Sequence, residues 1–598
     1  MSTQDYGMAE GRLIINGEAV GEVVGSNVML SFWGGVNPLT GEVIDRHHPL
    51  SGQHIDGKIL AVPSSRGSNS GSGAMLEMLL GGTSPTGLIF EREETIVPVG
   101  ILVASEVYGL SIPVVQLASA DFKAVCAASH ARINGASVKY WSTSQSTAEV
   151  KRTDSVSPSV SRTIEEELVL PPSFKLTSYD QHLLCGSQGR AAQAAIRVIL
   201  RLALLDGVSE LIDITSAHLD GPTYTGPGCV QFALKMNEWN ALVRIPSTLN
   251  STGVDMQRWQ VQGVNANYAN PASELALAYV KMGAQPTYTC APYLLQTTPS
   301  KGDCVIWSES NASIYANSVL GARTLKCPDH LDLCIALTGR AANAGMYVPS
   351  NRRAQMEMKV PAVIDWDDSF FPLLGYVVGG LAVNRIPIIT GLEGQKITTD
   401  DLKVFGAAFA TTSNAPMYHM SGITPEATND QDLQAHLSAV KTKIQISYDD
   451  LAIGCREMDS GTNTKIDLIS FGNPHFSYTE FAALARACEG RVKDSEVSMI
   501  ITCGRDVYAE AYRAGYVPAV EAFGAQTITD TCWCYIDEPL IPLAAKTLMT
   551  NSGKYAHYGV GLTGRQIRFG SVAQCVDAAC TGYAPKVLPS WLMELSLS

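Results

Sequence analysis

Charge is scarce in this 598-residue chain: Asp, Glu, Lys and Arg make up 17% of it, against 46% hydrophobic residues. That balance excludes a disordered chain, which needs fewer apolar residues and more charge. A basic excess is absent as well. The 43 Lys and Arg face 57 Asp and Glu, for a net charge of −14. This argues against a general nucleic-acid surface but leaves room for a local basic pocket that takes a small acid. No apolar run reaches the roughly 18–20 residues of a membrane-spanning helix. The best, 370–383, is interrupted by Pro372, Gly375, Gly379 and Gly380, and it reads as buried strand and turn. The opening residues MSTQDYGMAEGR lack an apolar stretch and carry Asp5 and Glu10. Neither a secretory nor an Arg-rich leader is expected, and the cytosol is the default compartment.

Familiar motifs are missing too. There is no Cys-x-x-Cys, His-Glu-x-x-His, Gly-x-Ser-x-Gly or Walker loop. In a cytosolic chain the 14 cysteines are read mostly as small buried thiols, not as a disulfide framework. A metal or cluster site has to be assembled from cysteines far apart in sequence. The 11 histidines form no ligand signature; His218 and His475 are expected in loops, in structural roles.

What is present begins with a seam. Over 142–163, 11 of 22 residues are Ser or Thr, too few large apolar groups to offset the entropy of ordering. The reading is a small domain over 1–141, a linker over 142–165 and a large domain over 166–598. In the first part, alternation over 11–30, the buried run 58–62 and the runs 95–104 and 112–117 suggest strands, with a helix over 74–80 after the Gly/Ser loop SSRGSNSGSG. In the second, the clearest helix is 190–203. Ala192, Ile196, Ile199, Leu200 and Ala203 fall on one face, and Gly207 follows as a stop. Candidate strands lie at 211–214, 360–364, 386–389, 443–447, 468–470 and 497–502. Helices between strands point to parallel α/β layers in more than one lobe.

Three places could carry chemistry. The Gly/Ser loop over 64–73 precedes a helix, whose first N–H groups and dipole stabilise an anion; it reads as a capped turn or as a carboxylate or alkoxide site with Arg66 nearby. Cys290, Cys532 and Cys575 sit in loop or helix-start contexts, and thiolates suit iron–sulfur iron; buried free thiols are the competing reading. A polar cluster in WSESNASIYANSVLGAR supplies Glu309, Asn311, Asn317 and Arg323, and MTNSGKYAHY adds Asn551, Ser552, Lys554 and His557. Such groups suit a carboxylate-bearing substrate, or serve as ordinary caps.

The stretches SFWGGVNPLTGEVIDRHHPLSG, GKILAVPSSRGSNSGS, SIPVVQL, GAQPTYTCAPY, WSESNASIYANSVLGAR, FGNPHFS, DTC and TNSGKYAHY with GSVAQC resemble the aconitase X family. The resemblance runs through both parts of the chain, the linker apart. It implies an α/β, aconitase-like fold: a small swivelling β/α domain fused to a large multi-lobed α/β domain. It implies an iron–sulfur hydro-lyase acting on a small hydroxy acid, with no nucleic-acid or membrane partner; a monomer is compatible with this. Single-chain members of this kind dehydrate cis-3-hydroxy-L-proline through an enamine to 1-pyrroline-2-carboxylate. Two-chain archaeal members dehydrate 5-phosphomevalonate, which remains an alternative substrate. A cluster-less binding protein of the same fold is another alternative.

The resemblance also implies roles. The family's proton-acceptor serine falls at Ser68, with Arg66 beside it. Asn311, Asn317, Arg323, Asn551, Ser552 and Lys554 lie in family-like stretches and are the expected substrate-binding residues. The archaeal cluster cysteines occur in T-C-x-P-Y, G-C-P-H and D-T-C patterns; the first matches Cys290, the third Cys532, and the middle position is Asn473 here. A neutral amide is a poor substitute for thiolate on iron. Either the cluster is smaller than the archaeal one or another thiol supplies the third bond; the resemblance to single-chain members implies [2Fe-2S], with Cys575, in the family-like GSVAQC stretch, as third ligand and Cys534, whose Cys-x-Cys pairing with Cys532 is a short span for two irons, as second choice. The linker is expected to let the small domain close over the substrate.

Overall fold

The computed structural model describes residues 6–45, 48–66, 69–142, 161–162, 168–438 and 440–595. Most of the Ser/Thr-rich seam therefore lies outside the described residues, as do Gly67 and Ser68. The chain gathers into two compact units: Met1–Asp213 with Thr225–Arg244 and Pro328–Ala344, and Ile214–Tyr224 with Ile245–Cys327 and Gly345–Ser598.

The first unit is built on an eight-stranded mixed sheet. Glu18–Gly25, Ile59–Val62, Gly87–Phe90 and Val114–Gln116 run parallel at its centre. Antiparallel strands flank them, the hairpin His130–Asn134 with Ser137–Trp141 among them. Ile59, Ala61, Ile89, Val115, Phe122 and Val138 pack into the core of this sheet. The helix after the Gly/Ser loop spans Gly71–Gly81. The run 95–104, expected as a strand, is instead part of the helix Val97–Tyr108. Pro98 sits in its first turn, where a missing N–H costs nothing, and Gly109 ends it in the left-handed conformation. Val97 to Ala104 are all buried, and an element apolar on every side shows no period to distinguish helix from strand.

Beyond the seam the same unit takes in Arg190–Leu205, with the expected apolar face buried, and Pro227–Glu238 and Leu331–Thr338. Buried acids clasp these helices. Glu77, on Gly71–Gly81, accepts from Gly228 N at 2.7 Å and Cys229 N at 3.2 Å, at the start of Pro227–Glu238. Glu106 pairs with Arg197 at 2.7 Å and Arg201 at 2.8 Å.

The second unit holds three parallel sheets. One joins Ser247–Leu249, Ala217–Leu219 and Ile306–Trp307. A four-stranded sheet contains Met356–Lys359, Pro387–Thr390 and Thr442–Gln445, and a five-stranded sheet is centred on Leu468–Phe476. The strand expected at 360–364 lies a few residues earlier, at Met356–Lys359. The stretch 370–383 is a 13-residue helix, Phe370–Ala382, and not strand and turn. Its glycines serve packing: a Cβ on Gly375 would stand 2.3 Å from the Phe405 carbonyl oxygen, and one on Gly379 2.7 Å from that of Phe409. They let the helix lie directly on Thr399–Thr412. Among the described residues no helix is long and apolar enough to cross a membrane. The parallel α/β layers and the separate N-terminal sheet fit the α/β class expected from the sequence.

Candidate active site

The second unit brings three cysteines together at the ends of its strands. Cys290 is buried two residues before the short helix Pro292–Leu294. Cys532 follows the strand Gln526–Thr529 and opens the turn Trp533–Tyr535, which carries Cys534. The Cys532 thiol lies within electrostatic reach of both Cys290 and Cys534. Donors surround this sulfur set. The backbone N–H of His475 donates to Cys290 Sγ at 3.3 Å, and Asn473 Nδ2 donates to Cys534 Sγ at 3.5 Å. Asn473 and His475 lie near the end of the central strand Leu468–Phe476, so one strand end supports two sulfurs.

Lys554 supplies positive charge. Its Nζ lies 2.6 Å from Glu309 Oε1. Its pKa stands well above the ordinary lysine value: burial opposes the charge, and Glu309 with the sulfurs of Cys534, Cys532 and Cys290 more than offsets that opposition. Glu309 also caps the helix Ser310–Tyr315. Asn311 bonds to Glu309 and donates to the Cys290 carbonyl at 3.1 Å, while Tyr293 donates to its Oδ1 at 2.7 Å. His475 is neutral, burial pushing its pKa down to about 4. It bonds through Nδ1 to Thr289 Oγ1 at 3.0 Å and through Nε2 to the Thr531 carbonyl at 2.8 Å, tying the segments before Cys290 and Cys532 together. His475 and His218 both lie in strands, not loops.

The remaining expected site residues have surroundings of their own. Cys575 is in the helix Val572–Thr581, inside an apolar cluster with Phe471, Phe481 and Val576. Its sulfur points to the Gly570 carbonyl at 3.9 Å, and the structure does not bring it to the other three. Asn317 is fully engaged: Nδ2 donates to the Thr324 and Pro416 carbonyls, and Oδ1 accepts from Thr324 N and Arg352. That leaves it no free donor. Ser552 caps the helix Gly553–Thr563 and donates to the Asn473 carbonyl. Arg323 and Asn551 are half-buried.

In the first unit, Arg66 is paired with Asp45 at 2.6 Å, which shares its charge, while its Nε is buried without a partner. Ser65 N donates to Glu94 at 2.5 Å, and Ser72 Oγ bonds the Asn69 and Asp329 carbonyls at 3.1 and 3.2 Å. Both flanks of the position of Ser68 are therefore anchored.

The sulfur set suits iron in its chemistry, since soft thiolates select iron–sulfur centres. Among the described residues no three His, Cys, Asp or Glu side chains gather as a site for a single ion. The thiols instead form a chain, an arrangement suited to a cluster in which different sulfurs meet different irons. Asn473 Oδ1, Thr531 Oγ1 and Tyr555 Oη are buried without partners. Each such atom costs about 1–3 kcal/mol unless something pairs with it. Sequence reasoning missed Tyr293 as a support for Asn311, although Tyr293 stands three residues after Cys290 in TCAPY.

Four family descriptions cover the chain: aconitase X swivel domain over 8–140, first domain over 173–350, second domain over 354–455 and third domain over 466–581. The chain is 49% identical to the cis-3-hydroxy-L-proline dehydratase of Hypocrea jecorina over 98% of this chain and 97% of that one. It is 45% identical to the protein of the same name from Pseudomonas aeruginosa, over 98% of each. A crystal structure of Thermococcus kodakaraensis aconitase X in its holo-form matches with 30% identity and a TM-score of 0.61, covering 68% of this chain and all of that one. With four domain descriptions spread along it and near-complete relatives at this identity, the chain belongs to the aconitase X family.

Proposed function

We propose that this chain is a hydro-lyase that dehydrates cis-3-hydroxy-L-proline, by way of an enamine, to 1-pyrroline-2-carboxylate. The observation that carries the reading is the 49% identity, nearly end to end, to a protein named for that activity. An iron–sulfur cluster of [2Fe-2S] type is held by Cys290, Cys532 and Cys534. The electrostatic coupling of Cys534 to Cys532, the ammonium beside them and the Asn473 amide donor on Cys534 support Cys534 over Cys575 as third ligand. Such a cluster supplies Lewis-acidic iron that lowers the basicity of a departing hydroxyl.

The chain's own residues do the rest. Ser68 accepts the α-proton. The helix Gly71–Gly81 begins three residues later, and the dipole at its start favours an alkoxide there. Arg66 contributes less than a free cation would, because Asp45 shares its charge. Lys554, fixed by Glu309, balances the charge of the thiolates. Arg323 and Asn551 remain to orient the substrate carboxylate, Arg through its forked donors. Asn311, Asn317 and Ser552, with their side chains committed to protein partners, build the walls.

Anaerobic purification with iron and sulfide counts, followed by assay against cis-3-hydroxy-L-proline and 5-phosphomevalonate, tests the reading. Iron-loaded protein that turns over the hydroxyproline is expected. Turnover of the phosphorylated acid alone would move the substrate, and a colourless, iron-free, inactive protein would leave only a binding role.

A further inference from the structure

Asn473 is 4% exposed, and its two amide atoms have opposite fates. Nδ2 donates to Cys534 Sγ at 3.5 Å, whereas Oδ1 has no partner. Its carbonyl accepts from Ser552 Oγ, so the residue is held from the backbone side too. The orientation is chemically one-sided. A thiolate sulfur accepts hydrogen bonds and donates none, so only the nitrogen edge of the amide can face it. Two residues on, the His475 N–H does the same for Cys290 at 3.3 Å. One strand end thus aims two N–H donors at two of the three sulfurs, one from the backbone and one from a side chain. The backbone donor is available with any residue but proline at position 475; the Asn473 donor depends on the side chain.

We propose that Asn473 is a positioning residue of the sulfur site, whose amide N–H fixes the Cys534 sulfur and raises the reduction potential of the cluster held there. The inference rests on the cluster reading above. Hydrogen bonds to ligand sulfurs draw electron density from the thiolate and favour the more negative, reduced cluster, one of the levers that set such potentials. A donor from beyond the ligands also fixes ligand orientation, and losing such partners typically costs about 10–100-fold in metal affinity.

The test uses the whole chain, anaerobically loaded, with Asn473→Asp, Asn473→Leu and Asn473→Gln. Iron per chain and the midpoint potential by optical redox titration are the readouts, neither of which requires turnover. Asn473→Asp keeps the shape but exchanges the donor for a carboxylate, and should lower the potential most. Asn473→Leu should lower it less, with iron lost more readily to a chelator, by a factor of about 10–100. Asn473→Gln keeps a donor and should recover part of both properties. Should the Leu variant fail to fold, the Asp and Gln variants decide. Loaded variants with wild-type potential and wild-type iron retention overturn the proposal and leave the cluster reading intact. A wild-type protein that takes up no iron removes the cluster reading before any variant is made.

Discussion

The surroundings of Cys532 and of Cys575 hide a thiol equally well, at 3% and 0% exposure, yet they are opposite environments. Around Cys532 stand two further thiols, the His475 N–H, the Asn473 amide and the Lys554 ammonium. Around Cys575 stand Phe471, Phe481, Val576 and the backbone of its own helix. The neighbouring Cys290 sulfur first, and burial after it, push the thiol pKa up at Cys532, whereas burial alone leads at Cys575; only at Cys532 does a cation pull the other way. Exposure therefore does not separate the two environments. The donors and charges within reach do, because a thiolate is stable in a low-dielectric interior only when positive charge or N–H groups face it.

The sharpest break of this comparison is at the sulfur set itself. Serine substituted singly at Cys290, Cys532 or Cys534 should abolish iron binding and activity together, read as iron per chain and turnover. Cys534→Ser with full iron would return the third ligand to another thiol. Next in size, Ser68→Ala should lower turnover by roughly 10²–10⁴-fold, the usual cost of losing a general base, with the cluster spectrum unchanged. A variant within a few-fold of wild type would remove Ser68 from the mechanism.

Lys554 tests the charge side. Lys554→Met leaves the Glu309 carboxylate buried without its ion-pair partner and the thiolates without their cation. Breaking a buried pair from one side typically costs about 3–5 kcal/mol. A clear fall in melting temperature, together with weaker iron retention, is expected; a variant that melts with wild type and keeps its iron would show that the ammonium is not part of the sulfur site.

Much of this was legible beforehand, and the misses share causes. Strands with alternating or bounded apolar runs, such as Ile59–Val62 and Ser498–Cys503, were found nearly in place. Val97–Tyr108 and Phe370–Ala382 were read as strands because helices buried on most sides have no polar face to reveal their period. Cys290 and Cys532 stood in recognisable motifs. Cys534 ranked below Cys575 on the argument that Cys-x-Cys is too short a spacing. The tight turn Trp533–Tyr535 instead returns Cys534 to the side of Cys532, a tertiary fact that spacing alone does not contain. Which carbonyls the amides of Asn311 and Asn317 meet is likewise a tertiary fact that sequence does not contain.

The smallest expected effect sharpens the comparison most. Cys575→Ala removes one sulfur from a packed apolar layer and touches none of the donors at the sulfur set. Its cost is lost contact plus a small cavity, on the order of 1 kcal/mol for so small a deletion. Cys575→Ser should cost more, about 1–3 kcal/mol, if its hydroxyl finds no acceptor as good as water; the Gly570 carbonyl, 3.9 Å from the present sulfur, is too distant for an O–H bond without movement. Both variants should keep wild-type iron, wild-type spectrum and turnover within about twofold, because a change of this kind acts through stability and not through the site. The order of the two matters as much as their size. A ligand thiol would make both substitutions equally ruinous to iron binding, since neither Ala nor Ser supplies a thiolate. A packing thiol makes the polar replacement worse than the apolar one in thermal melting and leaves iron untouched in both. Iron counts beside melting curves for these two proteins therefore decide to which of the two environments Cys575 belongs.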